Sequence, residues 1–445
     1  MRMGELAQAR LGGGRRVAVV GGGIAGLGAA WLLSRHDQVT LFEAGSYVGG
    51  HTNTIDVTVE GHTHPVDTGF LVFNRRTYPN LCALFAQLGV ESVDSEMSFG
   101  VSLADPAIEW AGSDLGTVFA QRSNLMRPAF IGMLRDILRF NRETTRMASE
   151  GRMPASSLGE YLDRERYGSA FRDWYLLPMA AAIWSCPTRT MLDYPLSTFV
   201  RFCHNHGLLQ ILDRPQWRTV KGGGREYVAK ILAQLPDVRV ASPVLRVDRE
   251  PHQVRIHSRH GAECFDEVVF ACHSDQTLAL LGAGASADER RILGAVSYQA
   301  NTAIVHTDPS LLPQRRKVWS AWNYMAGEGR ADARPVSVSY LINRLQPLPF
   351  ETPVVVSLNP FRAPRAEHVL RTIHYAHPVF DQAAIDAQAA LPTIQGRQRS
   401  WFAGAWTGYG FHEDGLKSAV AVAAALGARI PWQLATTTVS EGLQA

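Results

Sequence analysis

Lysine, cysteine and long apolar runs are what this 445-residue sequence has little of. Of its 44 basic residues only Lys221, Lys230, Lys317 and Lys417 are lysines, the formal net charge is +3, and no block of like charge runs along the chain. The arginine skew reads as genome composition, not as a nucleic-acid footprint, and no nucleic-acid partner is expected. The five cysteines, Cys82, Cys186, Cys203, Cys264 and Cys272, are odd in number and form no CxxC pair. That pattern needs neither a disulfide framework nor a cysteine metal centre, and it fits a reducing, cytoplasmic setting with no bound metal. No segment approaches the roughly 20 apolar residues of a membrane span. The run 419–426 is short and lies between Lys417 and Arg429. The opening MRMGELAQARLGGGRR has no apolar signal core, and Arg15-Arg16 leads into a strand pattern instead of an export signal.

What is present is a globular balance, 46% hydrophobic and 19% charged with 39 glycines and 23 prolines, at a length that suits two packed domains. Residues 17–20 are apolar, glycines follow, 29–33 read as helix and 39–42 resume a β pattern, which makes a βαβ unit at the start. After Gly222-Gly223-Gly224 the spacing predicts a short helix over 227–235 and strands over 238–240, 244–247, 254–257 and 268–271. A strand over 401–404 and a helix over 415–426 return to the same α/β grammar. Between these blocks, 76–215 reads as helical and rich in aromatic and Met residues, and 291–394 as strands (302–306, 336–342, 354–358) among proline-bearing loops. The expected architecture is an α/β Rossmann-like nucleotide-binding domain made from 15–75, 216–290 and 395–435. An α+β substrate domain (76–215 and 291–394) is inserted into it, with 1–14 and 436–445 as flexible termini.

The strongest motif is Gly21-Gly22-Gly23-Ile24-Ala25-Gly26, a GxGxxG directly after a strand and opening a helix. Its first glycine makes the tight turn, its second lets backbone approach a pyrophosphate, and its third lets helix and strand pack closely. The helix N-terminus offers free N–H groups to the phosphates. Glu43 ends the next strand 22 residues after Gly21, where a carboxylate can accept ribose hydroxyls. The cofactor-binding set expected here is Gly21, Gly23, Ile24, Ala25, Gly26, Glu43 and Ala44.

Beyond Glu43 the run Ala44-Gly45-Ser46-Tyr47-Val48-Gly49-Gly50-His51-Thr52 resembles the extended dinucleotide signature of two-domain flavoproteins. That resemblance adds Gly49, Gly50, His51 and Thr52, the bare glycine backbone serving as a second anion nest. Ser242-Pro243-Val244, the strand ending Phe270-Ala271, and the C-terminal segments Phe402-Ala403-Gly404-Ala405 and Gly410-Phe411-His412-Glu413-Asp414-Gly415-Leu416 resemble those of the amine oxidase, phytoene desaturase and protoporphyrinogen oxidase superfamily. The resemblance implies one FAD, and further cofactor contacts at Val244, Ala271, Gly404, Phe411, Glu413, Asp414, Gly415 and Leu416. A helix N-terminus would then face the flavin. Asp67-Thr68-Gly69-Phe70-Leu71-Val72-Phe73-Asn74, Asn205-His206-Gly207-Leu208 and Trp319-Ser320-Ala321-Trp322-Asn323-Tyr324 are similar to a bacterial subgroup of amine-oxidase-like flavoproteins associated with cyclopropane-fatty-acid-synthase-like methyltransferases. This implies a lipidic substrate, namely desaturation of a methylated fatty acyl chain, and a lipid methyltransferase partner. A small-amine oxidase and a non-catalytic flavin-bound partner of such a methyltransferase are the alternatives. No cysteine follows Cys272, so the covalent flavin link of animal monoamine oxidases is not expected and FAD is non-covalent.

Within that resemblance the wall facing the flavin is expected from Trp406, Tyr409 and His412, with His412 as a proton-handling group. His206 is expected on the opposite wall, and Lys317 or Lys417 in the place of the lysine that holds a water near the flavin in many relatives. Trp174, Tyr175, Met179, Ile183 and Trp184 would supply an apolar lining. His62/His64 and His204/His206 are HxH pairs without a third ligand cluster, and read as polar histidines. In Phe130–Arg146 (FIGMLRDILRFNRETTR) the residues Phe130, Met133, Leu134, Ile137 and Leu138 form one stripe with the arginines mostly off it. The stripe reads as an ordinary packed helix first, and as a peripheral membrane contact second.

Overall fold

The computed structural model describes residues 14–184, 191–205, 207–209, 215–329 and 335–433. Its first layer is a five-stranded sheet in the order Asp237–Arg239, Gln38–Phe42, Arg16–Val20, Glu267–Phe270, Ser400–Phe402. All neighbours run parallel. In Arg16–Val20 and Gln38–Phe42 the first residue is exposed and the following four are buried. A parallel sheet covered on both faces demands such near-continuous apolar runs instead of alternation. The sheet draws its strands from three separated pieces of chain, as the βαβ and C-terminal patterns imply.

The helix Ile24–Leu33 is buried at all ten positions. It lies between the sheet and the helix His412–Ala425, and a Cβ on Gly28 would stand 2.6 Å from the Leu416 side chain. Glycine therefore lets the two helices close. An antiparallel sheet of Val244–Arg249, Val254–Ser258 and Gly261–Phe265 flanks this layer.

A second, seven-stranded sheet has the order Val369–Val379, Ser297–His306, Val355–Leu358, Val336–Leu341, Trp322–Ala326, Phe99–Leu103, Ile108–Ala111. Only the pairing of Trp322–Ala326 with Phe99–Leu103 is parallel. Helices Pro128–Glu150, Leu158–Arg164, Leu177–Trp184 and Leu196–Asn205 accompany it, and in their shared core Phe140 meets Tyr161, Tyr167, Phe171 and Phe199.

Three sequence expectations differ from this architecture. The block 76–215 is not uniformly helical, since it contributes the strands Ser92–Ser95, Phe99–Leu103 and Ile108–Ala111. Their cross-strand partners lie more than a hundred residues away in the cases of Trp217–Val220 and Trp322–Ala326, so no local window displays them. The helix Pro79–Leu88 packs its Leu81, Leu84, Phe85 and Leu88 into a core that holds Trp31 and Leu416 and also Val305, Ile342 and Val356. The helix expected from 415 begins at His412. In Pro128–Glu150, Phe130, Met133 and Phe140 are buried while Leu138 is 57% exposed, because the inward face is set by positions 133, 136, 140 and 144.

Candidate functional site

One cavity of about 1400 Å³ runs from the C-terminal ends of the parallel strands into the space between the two sheets. It begins at the glycine loop. Gly21 has φ +109°, which L side chains avoid, and its N–H donates to the Phe42 carbonyl at 2.8 Å. A Cβ on Gly26 would lie 1.8 Å from the Gly21 carbonyl oxygen, whereas one on Gly23 would meet nothing within 4 Å. Gly23 faces open cavity at the N-terminus of Ile24–Leu33, and a Cβ on Gly50 would come within 3.1 Å of its Cα. Two stretches of bare backbone thus meet over the start of a helix, as a pyrophosphate requires.

Gly21, Gly23, Ile24, Ala25, Glu43, Ala44, Gly50, His51, Val244, Ala271 and Gly404 line this end of the cavity, together with Trp406, Phe411 and His412. The Glu43 carboxylate accepts N–H bonds from Gly22 (2.8 Å) and Gly45 (2.6 Å), so it ties the two loops together. Each oxygen keeps lone-pair capacity for a ribose hydroxyl.

Other expected residues stand elsewhere. Gly49 donates its N–H to the Gly22 carbonyl at 2.8 Å and does not line the cavity, so it shapes the loop instead of offering an anion contact. Glu413 accepts from Asn80 N–H (2.9 Å), Asn80 Nδ2 (2.7 Å) and Leu81 N–H (3.0 Å), capping the start of Pro79–Leu88. Asp414 accepts from the backbone N–H of Tyr409 (3.0 Å) and Phe411 (2.9 Å), capping its own helix. Burial raises both carboxyls, Asp414 to about 6. Gly415 packs on Ile24, and Leu416 is fully buried against Gly28. These four hold the C-terminal helix in place and do not line the cavity, because the first turn of that helix directs its acids to N–H groups that need acceptors. Tyr409 packs beside Phe202 at 5.8 Å, also off the cavity. Lys317 and Lys417 are exposed, and neither lines it. His206 lies outside the described residues, although Gly207 and Leu208 of its turn do line the cavity.

His412 joins the two kinds of residue. Its ring stacks on Phe70 (centroids 3.8 Å apart, 11° between planes). Its Nε2 lies 2.9 Å from both the Thr52 and Tyr227 hydroxyls, which are themselves 2.5 Å apart. Thr52 is therefore held behind the wall and does not line the cavity. Burial lowers the His412 imidazole to about 3, so it is neutral in ordinary buffers and its network needs no imidazolium. Replacing His412 with Phe keeps the stack and leaves the two hydroxyls only each other. The expected loss is about 1–3 kcal/mol in denaturant melts, with the inflections of any pH–rate profile between about pH 5 and 9 unmoved. A lost inflection in that range would return His412 to the role of a titrating group.

Sequence reading missed the strand Val369–Val379, whose His374, Tyr375, Ala376, His377 and Pro378 line the cavity. Tyr375 stacks on His51 at 4.7 Å, and its hydroxyl meets Thr68 Oγ1 at 2.8 Å. The His377 ring lies 5.0 Å from that of His51, and burial lowers it to about 4. His51 is lowered well below the ordinary histidine value by burial and by the neighbouring imidazoles, and its Nε2 is buried without a hydrogen-bond partner. The signal was a His-Tyr-Ala-His run in a region of sparse motif content. Among the described residues no group of three or more His, Cys, Asp or Glu could hold a metal ion, and His62 is exposed.

A parallel sheet with glycine loops and a helix start at its C-terminal edge is the arrangement of dinucleotide-binding folds. A family model described as an NAD(P)-binding Rossmann-like domain matches residues 19–88. Among solved structures, a putrescine oxidase variant superposes with a TM-score of 0.68 at 15% identity, covering 94% of this chain and 100% of that one. A protein of Exiguobacterium sp. 255-15 assigned as a protoporphyrinogen oxidase (19%, TM-score 0.65, 93% and 98%) and a fatty acid isomerase of P. acnes that produces CLA (14%, TM-score 0.65, 92% and 98%) are similar over the same extent. The chain therefore has the fold of the amine oxidase and protoporphyrinogen oxidase group, with its Rossmann-like domain at the start, as the motifs implied. Among curated proteins it is 28% identical over 170 residues to the carotenoid phi-ring synthase of Chlorobaculum tepidum and 33% identical over 171 residues to that of Streptomyces griseus. These matches span 36% and 35% of this chain but only 23% and 32% of those relatives.

Proposed function

We propose that this protein is an FAD-dependent oxidoreductase acting on a neutral, apolar substrate, with a methylated fatty acyl chain as the leading candidate. The observation that carries the reading is the wall chemistry of the cavity. Among the described lining residues the one carboxylate is Glu43, at the dinucleotide end and already bound to two loop N–H groups. Beyond it the space is bounded by Met97, Phe99, Trp110, Tyr175, Met179 and Trp322. An ammonium group would be buried there without a counter-charge, whereas an aliphatic chain gains from the same walls.

The residues present fit FAD. Gly23 and Gly50 leave room for the pyrophosphate, and Glu43 stands at the ribose position of the motif. Cys272 is the cysteine among the described lining residues. Burial raises its thiol to about 11, which keeps it neutral and unreactive and supports non-covalent binding. When bound, FAD would supply the two-electron acceptor for hydride removal from an aliphatic carbon of the substrate. The chain's own part is to hold the acyl segment between aromatic walls and to exclude water. Its lining imidazoles His51, His377 and His412 stay neutral.

The likeness to putrescine oxidase supports amine oxidation as the second reading. Anaerobic addition of methylated fatty acyl substrates and of a panel of small amines to the yellow protein separates them. Bleaching of the flavin by the acyl compounds, with amines inert, is the expected result. Rapid bleaching by amines alone reverses the ranking, and a colourless protein that cannot be reconstituted with FAD removes both.

A further inference from the structure

We propose that the outward face of the helix Pro128–Glu150, with the turn Arg122–Met126 before it, docks this protein on an anionic phospholipid surface. The proposal rests on this surface alone and not on the substrate reading above.

The stripe that sequence reading offered to a membrane is largely core, and a different stripe faces solvent. Pro128, Ile131, Arg135, Leu138, Arg142 and Arg146 are all exposed. At 100° per residue they fall within about 80° of one another. Arg135, Arg142 and Arg146 share this line with Ile131, 44% exposed, and Leu138, 57% exposed, and Met126 just before the helix is 87% exposed. Leu125, Met126, Pro128, Ile131, Gly132 and Arg135 bound a groove of about 510 Å³ open to solvent. A row of large apolar groups in water is costly unless something covers it.

The charge pattern selects the cover. Arg122, Arg127, Arg135, Arg142 and Arg146 form no ion pair with a described carboxylate, in contrast to Arg139, which pairs with the buried Asp136 and sits over the Tyr167 ring. The other acids of the helix do not oppose them on the stripe. Glu143 accepts from the hydroxyls of Tyr161 and Tyr167, and Glu150 lies at the far end. Asp114, on the approach to this region, caps Leu115–Val118. Arginines with long stems can lie along apolar surface and place their heads at phosphate level while Ile131, Leu138 and Met126 enter the acyl boundary. A second copy of the chain is a poor cover, because a two-fold contact would set arginine against arginine. The inner side of the same helix turn carries Phe130, which packs edge-on at 6.2 Å against Trp110, a wall of the cavity. The docking face and the cavity are thus one side chain apart.

Co-sedimentation of the full-length protein with vesicles tests this. Binding is expected with phosphatidylcholine–phosphatidylglycerol vesicles, not with phosphatidylcholine alone, and should weaken with added salt. Arg135→Gln with Arg142→Gln should reduce it about 25-fold, taking roughly five-fold for each arginine near the surface. Ile131→Asp with Met126→Ser should abolish it. The exposed pair Arg290→Gln and Arg371→Gln should bind as the wild type does. All these sites are on the surface, and thermal melts verify folding. Failure to bind anionic vesicles, equal loss in the control pair, or a dimer that dissociates on Ile131→Asp overturns the proposal. Because no substrate enters the assay, its failure and that of the substrate reading are distinguishable.

Discussion

Replacing Gly26 with alanine is expected to destabilise the protein by about 3 kcal/mol or more and to take the flavin with it, whereas Gly23→Val should take only the flavin. The two glycines lie three residues apart in one motif, but they answer to different physical demands. A Cβ on Gly26 would sit 1.8 Å from the Gly21 carbonyl oxygen, and the obstacle is backbone that cannot rotate away. Helix and strand must separate, which places this substitution at or above the usual range for overpacking. Gly23 has φ −72°, a conformation any residue adopts, and a Cβ there meets no protein atom within 4 Å. Nothing in the folded chain requires glycine at that position, so the open space beside it is available to a ligand. Denaturant melts of the apoprotein, paired with flavin absorbance after reconstitution, check both halves. A Gly26→Ala protein that unfolds with the wild type, or a Gly23→Val protein with full flavin content, would contradict this division of roles.

The second large effect concerns pH. Asp67 is 2% exposed. Its carboxylate accepts from Thr54 Oγ1 (2.5 Å), Gly224 N–H (2.9 Å) and Gln346 Nε2 (3.1 Å), and its own N–H donates to Gln346 Oε1 at 3.0 Å. One side chain thereby pins the hairpin Thr54–Asp67, the start of the helix Arg225–Leu232, and Gln346 from the second sheet region. Burial raises this carboxyl to about 6, against the hydrogen bonds that lower it. A carboxyl raised in the folded state binds its proton there more tightly than in the unfolded chain, so its stabilising contribution is complete below about pH 4 and is lost as pH rises through 6. The difference corresponds to roughly 3 kcal/mol. Stability of the wild type measured against Asp67→Asn should therefore fall over that interval, and the variant should lose this slope even if its absolute stability changes. Parallel pH curves for the two proteins would show that Asp67 is ionised at no such cost.

Much of the dinucleotide half was legible because its determinants are local. Gly21, Gly23 and Gly26 act within one turn of chain and helix, and Glu43 ends the next strand, so spacing alone expresses the geometry. The second half was less legible. The strands Ser92–Ser95 and Phe99–Leu103 depend on partners at 217–220 and 322–326, and the cavity wall of His374, Tyr375 and His377 depends on pairing with Ser297–His306. No local periodicity announces such contacts.

The sequence by itself determined the Rossmann-like start, the three-piece assembly of the parallel sheet, and the apolar character of the blocks between those pieces. Short-range turn chemistry and continuous apolar runs can be satisfied in only a few ways. Only the tertiary structure decided what the motif's side chains do. It turned Glu413 and Asp414 from cofactor contacts into helix caps, because N–H groups at two helix starts lie within reach of their oxygens. It left Lys317 and Lys417 in solvent and Tyr409 against Phe202. It made His412 a neutral, doubly bonded ring, since Phe70, Thr52 and Tyr227 converge on it from distant parts of the chain. It also turned Leu138 and Ile131 outward beside arginines that pair with no described carboxylate, because the inward face of their helix was already taken by Phe130, Met133 and Phe140. Residue type and spacing state which chemistry is available. Which groups face the cavity, a helix end or water depends on packing among residues hundreds of positions apart.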